Sequence, residues 1–236
     1  MIDKWHISVI IPAKDEQELL PRCLHSVLYA CQLVSTVATT DVVIVVDDSV
    51  DDTYALASEL VSDYGVAVSR SYSCVGMARA HAVLQALKRT PAPKSKCWLA
   101  NTDADCVVPS NWLLQQIEFA QLGWHGVAGI IDVDSFAEHD EDVSGRFTES
   151  YHVHSDGTHP HVHGANLGVR ADAYIGAGGW SPLVTGEDHD LWKRLTKGHY
   201  RLKSDSALKV STSGRRVGRA PLGFADALAA HNRPSI

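Results

Sequence analysis

The sequence predicts an α/β fold in which a mostly parallel sheet carries helices on both faces. Three observations predict it. Short apolar runs, Ile7 to Ile11, Val42 to Val46 and Cys97 to Asn101 among them, alternate with stretches of helical period. Acidic residues stand directly after these runs, where the carboxyl ends of parallel strands would gather them. A length of 236 residues with 45% hydrophobic content is enough to bury one sizeable core.

The elements follow in order. Ile7 to Ile11 reads as the first strand, and Leu20, Cys23, Leu24, Val27, Leu28 and Cys31 then recur at helical spacing. Asp15 with Glu18 predicts a capping box at the start of that helix. Val42 to Val46 is the second strand, followed by Asp51, Asp52 and Thr53 as caps of a helix bearing Leu56, Leu60 and Tyr64. Val66 to Ser69 is a third strand, and Met77 to Leu87 a helix with Ala80, Val83, Leu84 and Leu87 on one side. Cys97 to Asn101 runs straight into Asp103-Ala104-Asp105. Ser110 is expected to cap a helix reaching Phe119, and Val127 to Val133 to form another strand. From Asp134 to His163 periodicity disappears, which predicts a long loop or insertion at one face, of a length that is usually functional or mobile. A helix beginning near Glu187 and a short strand at Lys209 to Ser211 complete the chain, without internal repeats.

Composition narrows the function. A formal net charge of -7 argues against a general nucleic-acid binder. The cysteines Cys23, Cys31, Cys74, Cys97 and Cys106 are scattered and odd in number, so reduced thiols and a cytoplasmic location are expected. Ile7 to Ala13 is too short to span a bilayer, and without a basic leader it reads as a buried strand rather than a signal peptide.

Asp15-Glu16, Asp47-Asp48 and Asp103 with Asp105 would crowd like charges onto one rim of the sheet. Such crowding is costly unless a cation compensates. Two carboxylates one residue apart at a strand end can offer hard oxygens to Mg²⁺ or Mn²⁺ and leave room for diphosphate oxygens. The competing reading is a solvated turn. Arg79, close to Gly76 at a helix start, reads either as a surface residue or as a holder of phosphate or base.

Several motifs agree in order and spacing from residue 7 to about 195. Val9-Ile10-Ile11-Pro12-Ala13-Lys14-Asp15-Glu16, Val45-Val46-Asp47-Asp48-Ser49-Val50-Asp51-Asp52-Thr53, Gly76-Met77-Ala78-Arg79-Ala80, Asp103-Ala104-Asp105 and Gly186-Glu187-Asp188 together resemble family 2 glycosyltransferases. The resemblance implies the Rossmann-like GT-A fold as one unit over residues 1–236. Its nucleotide-sugar half would be 1–106 and its acceptor half 107–236. It implies Mn²⁺ or Mg²⁺, a UDP-, GDP- or dTDP-sugar donor, an unidentified acceptor hydroxyl and inversion at the anomeric carbon. By motif, Pro12, Ala13, Glu16, Asp48, Arg79, Asp103 and Ala104 would line the nucleotide sugar. Asp105, with Asp103, would hold the metal, and Asp188 beside Glu187 would be the base. The chain departs from the pattern at Asp15, where the family often has Asn, and at Ser49-Val50, where it often has Gly-Ser.

Two other functions fit less well. A sugar-phosphate nucleotidyltransferase should carry a Gly-rich basic loop where Pro12-Ala13-Lys14-Asp15-Glu16 stands, and a non-catalytic nucleotide-binding or scaffold domain has no need of Asp103, Asp105 and Asp188. A dehydrogenase or methyltransferase would show G-x-G-x-x-G after the first strand. On the acceptor side, His152, His154, His159, His161 and His163 alternate along a presumed extended segment, as an acceptor-facing loop or a transition-metal site would. His163, Asn166, Glu187 and Trp180 are the expected acceptor or sugar pocket, core packing being the alternative for Trp180. Between Lys193 and Arg219 the only acid is Asp205. The lysines there read as a solvated face or a weak peripheral contact with anionic membrane. Arg215 and Arg216, set among Ser and Gly, read as a lid that clamps a diphosphate.

Overall fold

A computed structural model describes residues 4–232 and forms one seven-stranded sheet. Its strands are β1 (Trp5–Ala13), β2 (Ala38–Asp47), β3 (Gly65–Arg70), β4 (Cys97–Asn101), β5 (Gly126–Val133), β6 (Leu167–Arg170) and β7 (Leu202–Thr212). The spatial order is β3-β2-β1-β4-β6-β5-β7, and β6 alone of these runs antiparallel to its neighbours. The helices are α1 (Leu20–Val34), α2 (Thr53–Val61), α3 (Val75–Arg89), α4 (Trp112–Gln121), α5 (Val143–Ser150), α6 (Ala171–Gly176), α7 (Glu187–Lys197) and α8 (Phe224–Ala229).

The central strands β1, β2 and β4 read as near-continuous apolar runs because both faces are covered. Ile7, Val9 and Ile11 of β1 pack with Leu24 and Val27 of α1 and Leu113 and Ile117 of α4, while Ile10 faces Ala78, Ala82 and Val83 of α3 on the other side. Leu191 and Leu195 of α7 join that second cluster. After β1 the chain winds outward through β2 and β3, then returns to place β4 on the opposite side of β1. Such a reversal opens a crevice at the carboxyl ends of β1 and β4.

Several local expectations are corrected. β1, β2 and β7 extend beyond the runs read from sequence. The capping box at Asp15 and Glu18 does not form, because α1 begins at Leu20 with Pro21 in its first turn and Leu19 makes no side-chain cap. Asp15 instead has φ 49° and accepts the Val50 N–H at 2.8 Å. Ser110 is not a cap, since Asn111 holds that position without a side-chain bond. Tyr64 lies past the end of α2. The buried face of α3 consists of small residues with Arg79, and Leu84 is 49% exposed, because the helix lies close to β1 and β2. Residues 134–163 contain α5, whose Val143 is buried. β6 and α6, of 4 and 6 residues, are too short to show a period.

Asn166 belongs to the fold rather than to an acceptor pocket. The β5–β7 pairing jumps from Gly129↔Asp205 to Ile130↔Lys209. The Asn166 side-chain amide fills this bulge by donating to the Ile130 carbonyl at 2.8 Å and the Leu208 carbonyl at 2.9 Å, while its oxygen accepts from Trp112 Nε1 at 3.0 Å. A Cβ at position 129 would strike that amide, hence the glycine. Asn166→Ala strands buried groups at three points, so a loss of about 3 kcal/mol in unfolding free energy is expected by urea denaturation. A loss well under 1 kcal/mol would remove the bulge-filling role.

Candidate active site

A cleft of about 670 Å³ lies at the carboxyl ends of β1 and β4. Pro12, Ala13 and Glu16 come to it from the end of β1, and Asp103, Ala104 and Asp105 from the end of β4. The start of α7 brings Glu187, Asp188 and His189. Residues from Ser213 to Ala227 lie along the cleft as a strap, placing Arg215, Arg219 and Phe224 there.

Two arginines sit among the carboxylates. Arg79 is 2% exposed and donates to Asp103 at 2.5 Å and to Glu187 at 3.1 Å. Its guanidinium carbon lies 5.5 Å from the centre of a Trp180 ring, a cation–π distance. A Cβ at Gly164 would collide with the same guanidinium, so the backbone can pass there only as glycine. Arg215 grips Glu16 with two bonds, at 3.0 and 2.6 Å, and reaches Asp105 at 2.7 Å. It thereby ties β1 to β4 across the crevice. Burial pushes the Glu16 carboxyl up to about 6 even though Arg215 pulls it down. Burial likewise raises Asp105 above the usual carboxylate range, with Arg215 opposing and Asp103 adding to the rise.

Among the described residues, Asp103, Asp105 and Cys106 form the one group of three potential metal ligands drawn from His, Cys and acidic side chains. Burial drives the Cys106 thiol far up, so it remains protonated. The two carboxylates that remain are hard oxygen donors, and Asp105 is buried with only partial compensation. This donor chemistry fits Mn²⁺ or Mg²⁺.

The Asp188 carboxylate accepts the Gly164 N–H at 2.8 Å and the His189 N–H at 2.7 Å, which fixes its orientation at the cleft wall. Beside it, the Tyr151 hydroxyl accepts the Ile131 N–H at 3.1 Å, so its own proton is free for His163 Nε2 at 2.9 Å. Burial pushes His163 down to about 4. His159, His161 and His163 do not form a transition-metal site. They stack in a row with centroids 5.9 and 6.0 Å apart, Tyr151 lying 3.9 Å from His161.

Other expected site residues lie elsewhere. Asp48 has φ 58° and turns outward to Ser73 at 2.5 Å and Lys14 at 3.4 Å. Asp47 lines the cleft instead, its carboxylate accepting the backbone N–H groups of Tyr72, Ser73 and Cys74. Trp180 is buried in the core against Arg79 and Tyr174 and does not wall the cleft. Arg216 is exposed and outside the cleft, its backbone N–H bound to Glu138. Arg219, three residues on, takes the cleft position, which only the local excess of basic residues had signalled. Of the other arginines in the basic segment, Arg194 binds Asp190 at 2.7 Å and the Gly179 carbonyl at 2.6 Å, and Arg201 lies 4.7 Å over Trp124. Among the described residues no helix is long and apolar enough to cross a membrane.

An open α/β sheet with paired carboxylates and two arginines at its reversal point presents a crevice of the kind in which such sheets bind ligands. Residues 8–175 match the family model described as "Glycosyl transferase family 2", and the chain belongs to that family. Its fold is GT-A, shared with S. aureus TarS residues 1–349 at a TM-score of 0.64 and 14% identity, over 89% of this chain and 60% of that one. It is also similar to the mannosyltransferase PcManGT from Pyrobaculum calidifontis, in complex with GDP-Man and Mn²⁺, at a TM-score of 0.62 and 16% identity over 96% and 69% of the two chains. A complex of the same TarS fragment with UDP gives a TM-score of 0.60 at 13% identity, over 89% and 61%. The chain thus spans about three fifths of the TarS fragment's length. No curated protein sequence matches it significantly.

The His163 environment predicts an acid sensitivity. An imidazole held at about 4 when folded and near 6.5 when unfolded leaves the unfolded chain binding more protons between those values. Stability present above pH 6.5 is therefore lost as pH falls towards 4, by on the order of 2 kcal/mol. Urea midpoints measured across that window should show a slope that His163→Phe reduces, and an unchanged slope would contradict the assignment.

Proposed function

We propose that the chain is a metal-dependent, inverting glycosyltransferase that moves a sugar from a nucleoside-diphosphate donor to an acceptor hydroxyl. The observation that carries this reading is that Asp103, Asp105 and Asp188 line one cleft. Membership of the family, rather than the sheet alone, sets the nucleotidyltransferase reading aside. UDP in TarS and GDP-Man with Mn²⁺ in PcManGT support a nucleoside-diphosphate ligand for this cleft.

Asp103 and Asp105 would hold Mn²⁺ or Mg²⁺, which when bound supplies Lewis-acid compensation for charge on the departing diphosphate. Pro12 and Ala13 would bound the nucleotide. Arg215 would exchange its bonds to Glu16 and Asp105 for diphosphate oxygens, with Arg219 and Lys14 adding positive charge on the same cleft. On the acceptor side Asp188 takes the hydroxyl proton as the acceptor oxygen bonds to the anomeric carbon. The bond from that carbon to the diphosphate oxygen breaks, and the nucleoside diphosphate departs. Glu187 is committed to Arg79, so it is not free to act as a nucleophile, which favours single displacement and inversion.

Asp105→Ala should stay folded, because a buried and under-compensated carboxylate is lost while Arg215 keeps Glu16. It should nevertheless lose the Mn²⁺-dependent rise in melting temperature that UDP, GDP or dTDP gives the wild type. Equal nucleotide affinity with and without metal in that variant would discard the ligand assignment. Asp188→Asn should retain nucleotide binding while transfer falls by about 10²–10⁴-fold. Near-normal turnover in Asp188→Asn would pass the base role to another group, His189 being the neighbour to test.

A further inference from the structure

A second groove, of about 550 Å³, lies against the outer end of the histidine row. His159, His161, Trp192, Thr196, Tyr200 and Ser204 are among its walls, and Val162 lines both it and the catalytic cleft. Two features run from one to the other. One is the stacked row from His163, in the cleft, through His161 to His159, in the groove. The other is one face of α7, where His189 lines the cleft and Trp192 and Thr196, at i+3 and i+7, line the groove. From Asp188 to Thr196 the helix advances about 12 Å, comparable with the row of imidazoles.

The chemistry of the groove is specific. Among the described residues that line it none is Asp, Glu, Lys or Arg. Burial pushes His159 and His161 below the ordinary histidine value, so both are neutral near pH 7. A neutral imidazole offers one donor and one acceptor; His161 donates its Nε2–H to the His152 carbonyl at 3.0 Å, which leaves Nδ1 as an acceptor for a hydroxyl group. His159 is 6% exposed at the groove wall, its ring close to the backbone of Ala128, His161 and Asp205. Trp192 and Tyr200 add amphipathic aromatic surface, and Thr196 and Ser204 add hydroxyls.

We infer that this groove is an acceptor subsite for a neutral oligosaccharide, whose reactive end lies in the cleft beside Asp188 and whose chain runs outward between the histidine row and α7. The inference rests on the transferase reading above. It makes the acceptor a sugar chain of several residues and not a monosaccharide.

The test uses the full chain on an immobilised panel of neutral oligosaccharides, each presented as disaccharide and hexasaccharide. At least one glycan should retain the wild type roughly tenfold better as the hexasaccharide. Thr196→Arg, at the exposed lip of the groove, should abolish that length preference, and His159→Phe, which keeps the ring but removes its nitrogens, should weaken it. UDP and GDP binding with Mn²⁺ is measured on the same samples by thermal shift. Nucleotide binding without any length preference, or a preference that survives Thr196→Arg, overturns the subsite alone. Absence of nucleotide binding in the wild type overturns the transferase reading beneath it.

Discussion

The arrangement depends first on one buried cation, Arg79, held between Asp103 and Glu187. A guanidinium that is 2% exposed is tolerable only while it is paired, because loss of either partner would leave charge in a low-dielectric interior. The strut joins the end of β4 to the start of α7 and so fixes the distance between the two walls of the cleft. Much else follows from its bulk and charge. Trp180 is drawn beneath it as a cation–π partner, and Gly164 must be glycine to let the backbone pass. The Gly164 N–H then orients Asp188.

Arg215 compensates the other half of the acidic rim under different mechanical conditions. It stands between β7 and α8, outside both, and its side chain is 17% exposed where that of Arg79 is 2% exposed. One arginine is built into the sheet–helix core, while the other is carried by a segment that can be repositioned at lower cost. The carboxylates bound by Arg215, Glu16 and Asp105, are both pushed towards protonation by burial. A site whose native counter-ion sits on a surface strap is suited to exchanging that counter-ion for a bound one.

The strand ends were legible because an apolar run followed by acids leaves few alternatives. Cys97 to Asn101 was bounded correctly, and Glu16, Asp103, Asp105 and Asp188 all reach the cleft. What escaped was decided by backbone conformation and by contacts between distant segments. Asp47 and Asp48 differ in role only because Asp48 takes a left-handed φ and turns outward, which composition cannot show. Leu84 matched the helical period as well as Ala82 does, but the close approach of α3 to the sheet selects the small residue. Asn166 and Trp180 looked like pocket residues because polar and aromatic groups near glycines often are. Partners 36 or more residues away along the chain, Ile130 and Trp112 for Asn166 and Arg79 for Trp180, place them in the core.

Helix α7 shows how one element can serve both chemistry and support. Gly186, with φ 74°, sets the turn into it, and three acids in its first turn lie where the helix dipole favours negative charge. Glu187 and Asp188 are adjacent and therefore about 100° apart around the axis. That angle lets one carboxylate turn inward to Arg79 while the next is held at the cleft wall by Gly164. Leu191 and Leu195, one turn apart, bury the inner side. The position of Asp188 is thus inherited from core packing below it and from the Arg79 strut beside it, and the Gly164 N–H fixes its carboxylate from the neighbouring turn.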